Sequence, residues 1–345
     1  MCMKQRINFL DYLRVFAIFF IIMIHVSAQN WYREDIDVNS FAWQTFNFYE
    51  CISRWSVPVF VMISGVLFLN KDIIISQIYR KNILRLVISF LVWSAFYCFL
   101  GNKSLSLKNI LIGEYHMWFI FMIIGLYMSS PIIREIVKNK NVMKYFLLLA
   151  FIFTFFIPFV NQIIHDFFKE TKTIFIINHK IQEMSMNLVL GYTGYFILGY
   201  YLNLVTLTKK KTAIIYLGGI LGLLLTVALQ IMLALKTQEP NESYYFGYLT
   251  PNVMFSAVAI FVLFKNLRIF QKSNIIIQKL SKYTFGVYLV HVFILNLNLL
   301  KIFGLNTMSF NPILSVPLIT ILVYFLSVCV VAILHCIPVL RKYIV

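Results

Sequence analysis

The chain has 345 residues, of which 61% are hydrophobic and only 12% charged, about half the charged share of an ordinary soluble domain. That balance excludes both a soluble globular enzyme and a disordered chain. The formal net charge of +17 does not make it a nucleic-acid binder, because no basic patch on a soluble face accompanies the charge.

Apolar runs of bilayer-spanning length, roughly 20 residues, recur from end to end. They lie at about 9–28, 45–69, 83–101, 115–131, 145–163, 184–204, 213–235, 248–266, 283–301 and 313–336. The expected fold is all-α, a polytopic membrane helix bundle of about ten transmembrane helices forming a single domain over residues 1–345. No linker, low-complexity tract or internal repeat divides it. With the N-terminus inside, most Lys and Arg residues, among them Lys71, Arg80, Lys81, Arg85, Lys210 and Arg341, fall on inner segments. Acids such as Asp35, Asp37, Asp166 and Glu239 fall on outer loops. The positive-inside rule then puts both termini in the cytoplasm, in the cell (inner) membrane.

The first span, LDYLRVFAIFFIIMIHVSAQNW, carries Asp11, Arg14 and His25. A basic start and Val26-Ser27-Ala28 imitate a cleavable leader. Asp11 and Arg14 interrupt the apolar run, so the segment reads as a retained helix. Asp11 and Arg14 are one turn apart, close enough to pair. Arg14 and His25 are eleven residues apart, about 20° beyond three whole turns, so both side chains share one face roughly 16 Å apart along the axis. Arg14 then lies toward the cytoplasm and His25 toward the outer surface. On the plainer reading Arg14 snorkels to the headgroups and His25 is interfacial. Against it, ionisable groups in spans cost about 2.5–3.5 kcal/mol each on insertion scales and usually line a cavity.

Further along, Glu50 lies near the outer end of the second span, with Arg54 one turn below it and placed to pair. Ser64-Gly65 permits close helix packing. Arg80, Lys81 and Arg85 form a basic inner loop. They are topology-setting charges on the plain reading, and Lys81 and Arg85 share a face if the loop continues as helix. His116 and Trp118 mark the outer entrance of the fourth span, where aromatic belts are common. His291 is mid-span in the ninth helix, where a buried hydrogen bond between helices is the plain reading. His165, His179 and His335 match no pattern. The five cysteines show no CxxC or Cys/His metal spacing, so neither a structural disulfide nor a metal is expected.

Several stretches together carry a resemblance. They are the Arg-x10-His of LDYLRVFAIFFIIMIH, then RWSVPVFVMISGVLF (54–68), YRKNILRL (79–86), YHMWFIFMIIGLYMSSPIIR (115–134), GYFILGYYL (194–202) and SKYTFGVYLVH (281–291). In this order they resemble the membrane acyltransferase-3 family over most of the chain. The His-Met-Trp span and Arg-Trp-x-Val-Pro look most like the branch that O-acetylates surface polysaccharides such as enterobacterial common antigen. The resemblance implies transfer of an acetyl group from cytoplasmic acetyl-CoA to a hydroxyl of an extracytoplasmic or lipid-linked glycan. Many relatives add a C-terminal hydrolase-like domain outside the membrane. This chain ends just after the tenth span and is expected to act without one.

Under that resemblance Arg14, Arg80, Lys81 and Arg85 hold the CoA phosphates, Arg as a fork and Lys as a point charge. His25 is the general base, a role worth about 10²–10⁴-fold, or takes the acyl group itself. Glu50 is the candidate that orients it. His116, Trp118, Arg54 and His291 are placed for the acceptor. The rival function is a transporter or flippase of lipid-linked glycan, although Pro58, Pro158 and Pro317 do not give the matched broken helices of repeated halves. A non-catalytic scaffold leaves Arg14 and His25 unexplained. The residues do not specify the sugar, the size of the acyl group or the oligomeric state.

Overall fold

The computed structural model describes residues 6–33, 35–71, 73–101, 104–168, 180–181, 183–184, 191–240, 244–296 and 305–345. The regular structure among them is entirely helical, as the apolar runs imply. Among the described residues, eight helical segments are long and apolar enough to cross a membrane. They are α1 (Asn8–Trp31), the run Phe41–Leu69 made of α2 (Phe41–Ser53) and α3 (Ser56–Leu69), α4 (Ile75–Leu100), Tyr115–Lys138, Lys140–Phe167, Lys209–Thr237, Tyr244–Asn266 and Pro312–Leu334. The chain is a multi-pass membrane protein. The expected sixth and ninth spans lie partly outside the described residues. Their described helices are Thr193–Leu204 and Ile275–Asn296.

In chain order after α4 we label α5 (Leu107–Ile112), α6 (Trp118–Lys138), α7 (Lys140–Phe167), α8 (Thr193–Leu204), α9 (Lys209–Thr237), α10 (Pro251–Asn266), α11 (Ile275–Asn296), α12 (Pro312–Leu334) and α13 (Pro338–Tyr343). Apolar side chains lie exposed at helical spacing: Leu217, Ile220, Leu221 and Leu224 on α9, and Leu314, Leu318, Ile321 and Phe325 on α12. Stripes of this kind suit a hydrocarbon solvent, not water.

Two expectations about helix ends are corrected. α4 starts at Ile75, so Arg80 and Lys81 lie on a wide π-type turn, Ile78–Ile83, and not on a loop. α6 continues to Lys138 through Pro131 and Arg134. Arg and Lys are good helix formers, and their long stems let the charge reach headgroups without ending the helix.

The chain divides into two compact units, each discontinuous in sequence. The first comprises Met1–Gln29, Lys71–Pro131 and Leu267–Val345. In it Asp11 is buried, accepts from Arg6 Nε at 2.5 Å and from Ser281 Oγ at 2.7 Å, and so ties α1 to α11. The expected Asp11–Arg14 pair does not form; the carboxylate takes Arg6 and Ser281 instead. Arg85, Ser89 and Trp93, four residues apart on one face of α4, donate to the main-chain oxygens of Val345, Tyr343 and Ile344 at 2.7, 2.8 and 3.1 Å.

The second unit comprises Asn30–Asn70 and Ile132–Asn266. Here α3 and α8 touch through backbone. A Cβ at Gly65 would stand 1.8 Å from the Phe196 carbonyl oxygen, and one at Gly199 2.2 Å from that of Met62. The packing role expected of Gly65 is what the structure shows. Lys265 Nζ donates to the carbonyls of Leu202, Asn203 and Val205 at 2.6, 3.0 and 2.6 Å, capping the C-terminal end of α8 with the favoured charge.

Candidate active site

Three imidazoles from three elements meet in the first unit. His25 comes from α1, His116 from the single 3-10 turn Tyr115–Met117 that opens α6, and His291 from α11. Ring centroids are 5.0 Å apart for His25 and His291, 5.2 Å for His116 and His291, and 6.3 Å for His25 and His116. His116 and His291 are 2% and 0% exposed, while His25 is half-buried. Among the described residues no three His, Cys, Asp or Glu side chains are arranged to hold a metal ion.

Local structure explains how the rings come together. Gly113 has φ +69°, and a Cβ there would come within 2.7 Å of the Phe90 ring. Glycine thus lets the chain turn sharply against α4 and enter the His116 turn. The Tyr288 hydroxyl donates to the His116 carbonyl at 2.6 Å, fixing that turn to α11. Tyr97 of α4 inserts its hydroxyl where the helical bond from Phe293 N–H to the Leu289 carbonyl would run. It donates to Leu289 at 2.7 Å and accepts from Phe293 at 3.0 Å. The turn of α11 that bears His291 is therefore held from outside its own helix.

The tautomer of His291 follows from its partners. Nδ1 lies 2.7 Å from the Tyr288 carbonyl and 3.2 Å from that of Val287. Carbonyls only accept, so Nδ1 carries the hydrogen and Nε2 the lone pair. That Nε2 has no hydrogen-bond partner, and neither do the two ring nitrogens of His116. Buried polar atoms without partners are rare and mark places where water or a ligand belongs. Three tyrosines frame the cluster. Tyr115 lies 5.4 Å from His25, and Tyr97 and Tyr288 each lie 5.5 Å from His116, measured between ring centroids.

A cavity of about 500 Å³ adjoins this cluster through Tyr115. Its walls include Phe90, Gly113, Glu114, Tyr115, Trp118 and Phe121. Aromatic faces and one carboxylate make a surface of mixed character, able to stack an apolar ring face and to accept from hydroxyl groups.

The remaining residues singled out in the sequence fall into separate groups. Arg14 is half-buried and makes no hydrogen bond or ion pair with the described residues. The Tyr127 phenol lies within electrostatic range of both Arg14 and Arg85. Besides bonding Val345, Arg85 stands 5.6 Å from the Phe285 ring centroid. Arg80 and Lys81 are exposed.

Glu50 and Arg54 belong to the second unit, where they form the expected pair at 2.5 Å, with Glu50 fully buried. The Arg54 guanidinium also stacks 3.8 Å from the Phe246 centroid and reaches the Tyr248 hydroxyl at 3.4 Å. The structure thus gives Glu50 to Arg54. His165 bonds Asp166 at 2.9 Å, and His335 lies against Tyr283 at 4.7 Å. His179 lies outside the described residues.

Sequence reading missed Tyr97, Tyr115, Tyr288 and Gly113. Tyr115 and Tyr288 stand one and three residues from a histidine, a signal that was available. A single tyrosine in an apolar span, as at Tyr97, gives none.

Comparison with known proteins fits this geometry. The chain belongs to the acyltransferase-3 family of membrane acyltransferases, whose model, described as an acyltransferase domain, matches residues 7–336. Acyl-transfer activity in general follows from that membership, and the family uses acyl-CoA donors. The chain is also similar to the probable poly-beta-1,6-N-acetyl-D-glucosamine export proteins of Staphylococcus aureus strains MSSA476 and MW2. Each is 26% identical over 325 residues, covering 88% of this chain and 87% of the relative. No solved structure matches.

Proposed function

We propose that the protein is an O-acetyltransferase of the cell (inner) membrane, moving an acetyl group from cytoplasmic acetyl-CoA to a hydroxyl of an extracytoplasmic or lipid-linked glycan. This is the activity of the surface-polysaccharide branch that the sequence resembles. The reading takes about ten spans with both termini in the cytoplasm. The supporting observation is the convergence of His25, His116 and His291 beside the aromatic cavity at Glu114 and Trp118. A sugar hydroxyl is a weak nucleophile and needs its proton removed as it attacks, and a positioned imidazole contributes about 10²–10⁴-fold.

His25 is that general base or, in a two-step path, the transient acyl carrier. The cavity receives the acceptor through Trp118, Tyr115 and Glu114. On the donor side Arg14, Arg80, Lys81 and Arg85 act on the anionic phosphates of CoA. The buried Glu50–Arg54 pair, flanked by Phe246 and Tyr248, is a second locus for saccharide hydroxyls in the second unit.

A second reading is favoured by the relatives' names: a glycan exporter without acyl transfer. Those names also make a β-1,6-linked N-acetylglucosamine polymer the first acceptor to try. One reconstitution separates the two. The purified chain in lipid vesicles receives labelled acetyl-CoA and a panel of carbohydrates that includes this polymer. Acyl transfer gives label on carbohydrate, lost in His25→Ala. Label that stays on CoA throughout, with polymer crossing the vesicle membrane, establishes the exporter instead.

A further inference from the structure

We propose that His291 is the base that takes the proton of the acceptor hydroxyl, and that His25 carries the acyl group to it. The inference rests on the acyl-transfer reading above and decides between its two paths. An imidazole that bears an acyl group has used its lone pair and cannot be the base for the step that removes that group. Transfer through an acyl-His25 therefore needs a second base, whereas direct transfer does not.

His291 has the features of one. Its Nδ1–H is anchored on two backbone carbonyls, which fixes a lone pair on Nε2. That nitrogen is buried and has no partner. The ring centre is 5.0 Å from that of His25, and on this proposal one acceptor oxygen bridges the acyl carbon on His25 and the lone pair of His291. The titratable groups around the pair are Tyr97 from α4, Tyr115 and His116 from the turn before α6, with Glu114 next to Tyr115 in sequence, and Tyr288 on α11 itself.

In the first step a ring nitrogen of His25 attacks the thioester carbonyl. The N–C bond forms, the C–S bond breaks, and CoA leaves as thiolate from an acyl-imidazolium. In the second step the hydroxyl oxygen attacks the same carbonyl. The C–O bond forms, the hydroxyl proton moves to Nε2 of His291, and the C–N bond breaks to return neutral His25. The proton then passes from His291 to the CoA thiolate, with His116, 5.2 Å away and with both ring nitrogens likewise lacking hydrogen-bond partners, as an intermediate stop.

His291→Asn tests the role. Its amide N–H replaces Nδ1–H toward the Val287 and Tyr288 carbonyls, so the structural contact is kept while the base is removed. With labelled acetyl-CoA and no acceptor, the variant is expected to release CoA and become labelled as the wild type does. With the acceptor panel, transfer to carbohydrate is expected to fall about 10²–10⁴-fold. His25→Ala loses both steps. Transfer by His291→Asn at the wild-type rate overturns the proposal, as does a wild type that transfers without ever becoming labelled.

Should the variant fail to stay monodisperse, the wild type alone decides. CoA release without acceptor and transfer with acceptor are expected to differ in pH profile by one ionisation, and identical profiles overturn the proposal. A wild type that moves no label to any carbohydrate fails at the acyl-transfer reading itself, an outcome distinct from the failure of His291.

Discussion

Asp11 accepts from Arg6 and Ser281, while Arg14, one turn along α1, makes neither a hydrogen bond nor an ion pair with the described residues. Two ionisable groups on one helix therefore answer to different pressures. Removing Asp11 leaves the Ser281 hydroxyl and a guanidinium without their acceptor, a loss of about 1–3 kcal/mol. Asp11→Ala is expected to lower the thermal midpoint of the detergent-solubilised protein, and an unchanged midpoint would remove Asp11 from the account of how α1 is held. Arg14→Ala orphans no partner. It is expected to leave that midpoint in place and to raise KM for acetyl-CoA at least tenfold, the effect of losing a charge that meets phosphate. An unaltered KM would return Arg14 to a snorkelling role.

At the scale of elements, the site depends on contacts that bring α4, α6 and α11 to α1. Tyr97→Phe removes the hydroxyl that bridges the Phe293 N–H and the Leu289 carbonyl, a loss of about 0.5–1.5 kcal/mol per hydrogen bond. The turn that bears His291 then loosens. Transfer activity is expected to drop by more than overall stability does, as read by rate and melting together. Equal activity in Tyr97→Phe would show that the external hold on α11 is irrelevant to the site.

These elements also show what the sequence discloses. The Arg14–His25 spacing reads out a shared helix face, because both residues obey one local period. The Glu50–Arg54 pair is legible for the same reason, being four residues apart on one helical run. His116 and His291 are visible only as isolated polar residues, since their meeting with His25 depends on contacts between residues far apart along the chain. Asp11 was assigned the wrong partner because nothing local announces Ser281. At Arg80 and Arg134 the charge reads as loop in the sequence, whereas the helical backbone continues through both.

For the molecule as a whole, the reading requires a donor side and an acceptor side on opposite faces of the bilayer. With both termini in the cytoplasm, a cysteine placed at Asp37 is expected to react with a membrane-impermeant thiol reagent in intact cells. One placed at Lys210 is expected to react only after permeabilisation. The reverse pattern would put the basic segments outside and the thioester donor on the wrong face. The central claim is that the His25 cluster transfers an acyl group to carbohydrate. Its most direct measurement is label appearing on glycan when the purified protein meets labelled acetyl-CoA. Wild type is expected to label the glycan and His25→Ala to leave it unlabelled. Equal labelling by the two proteins would contradict the account.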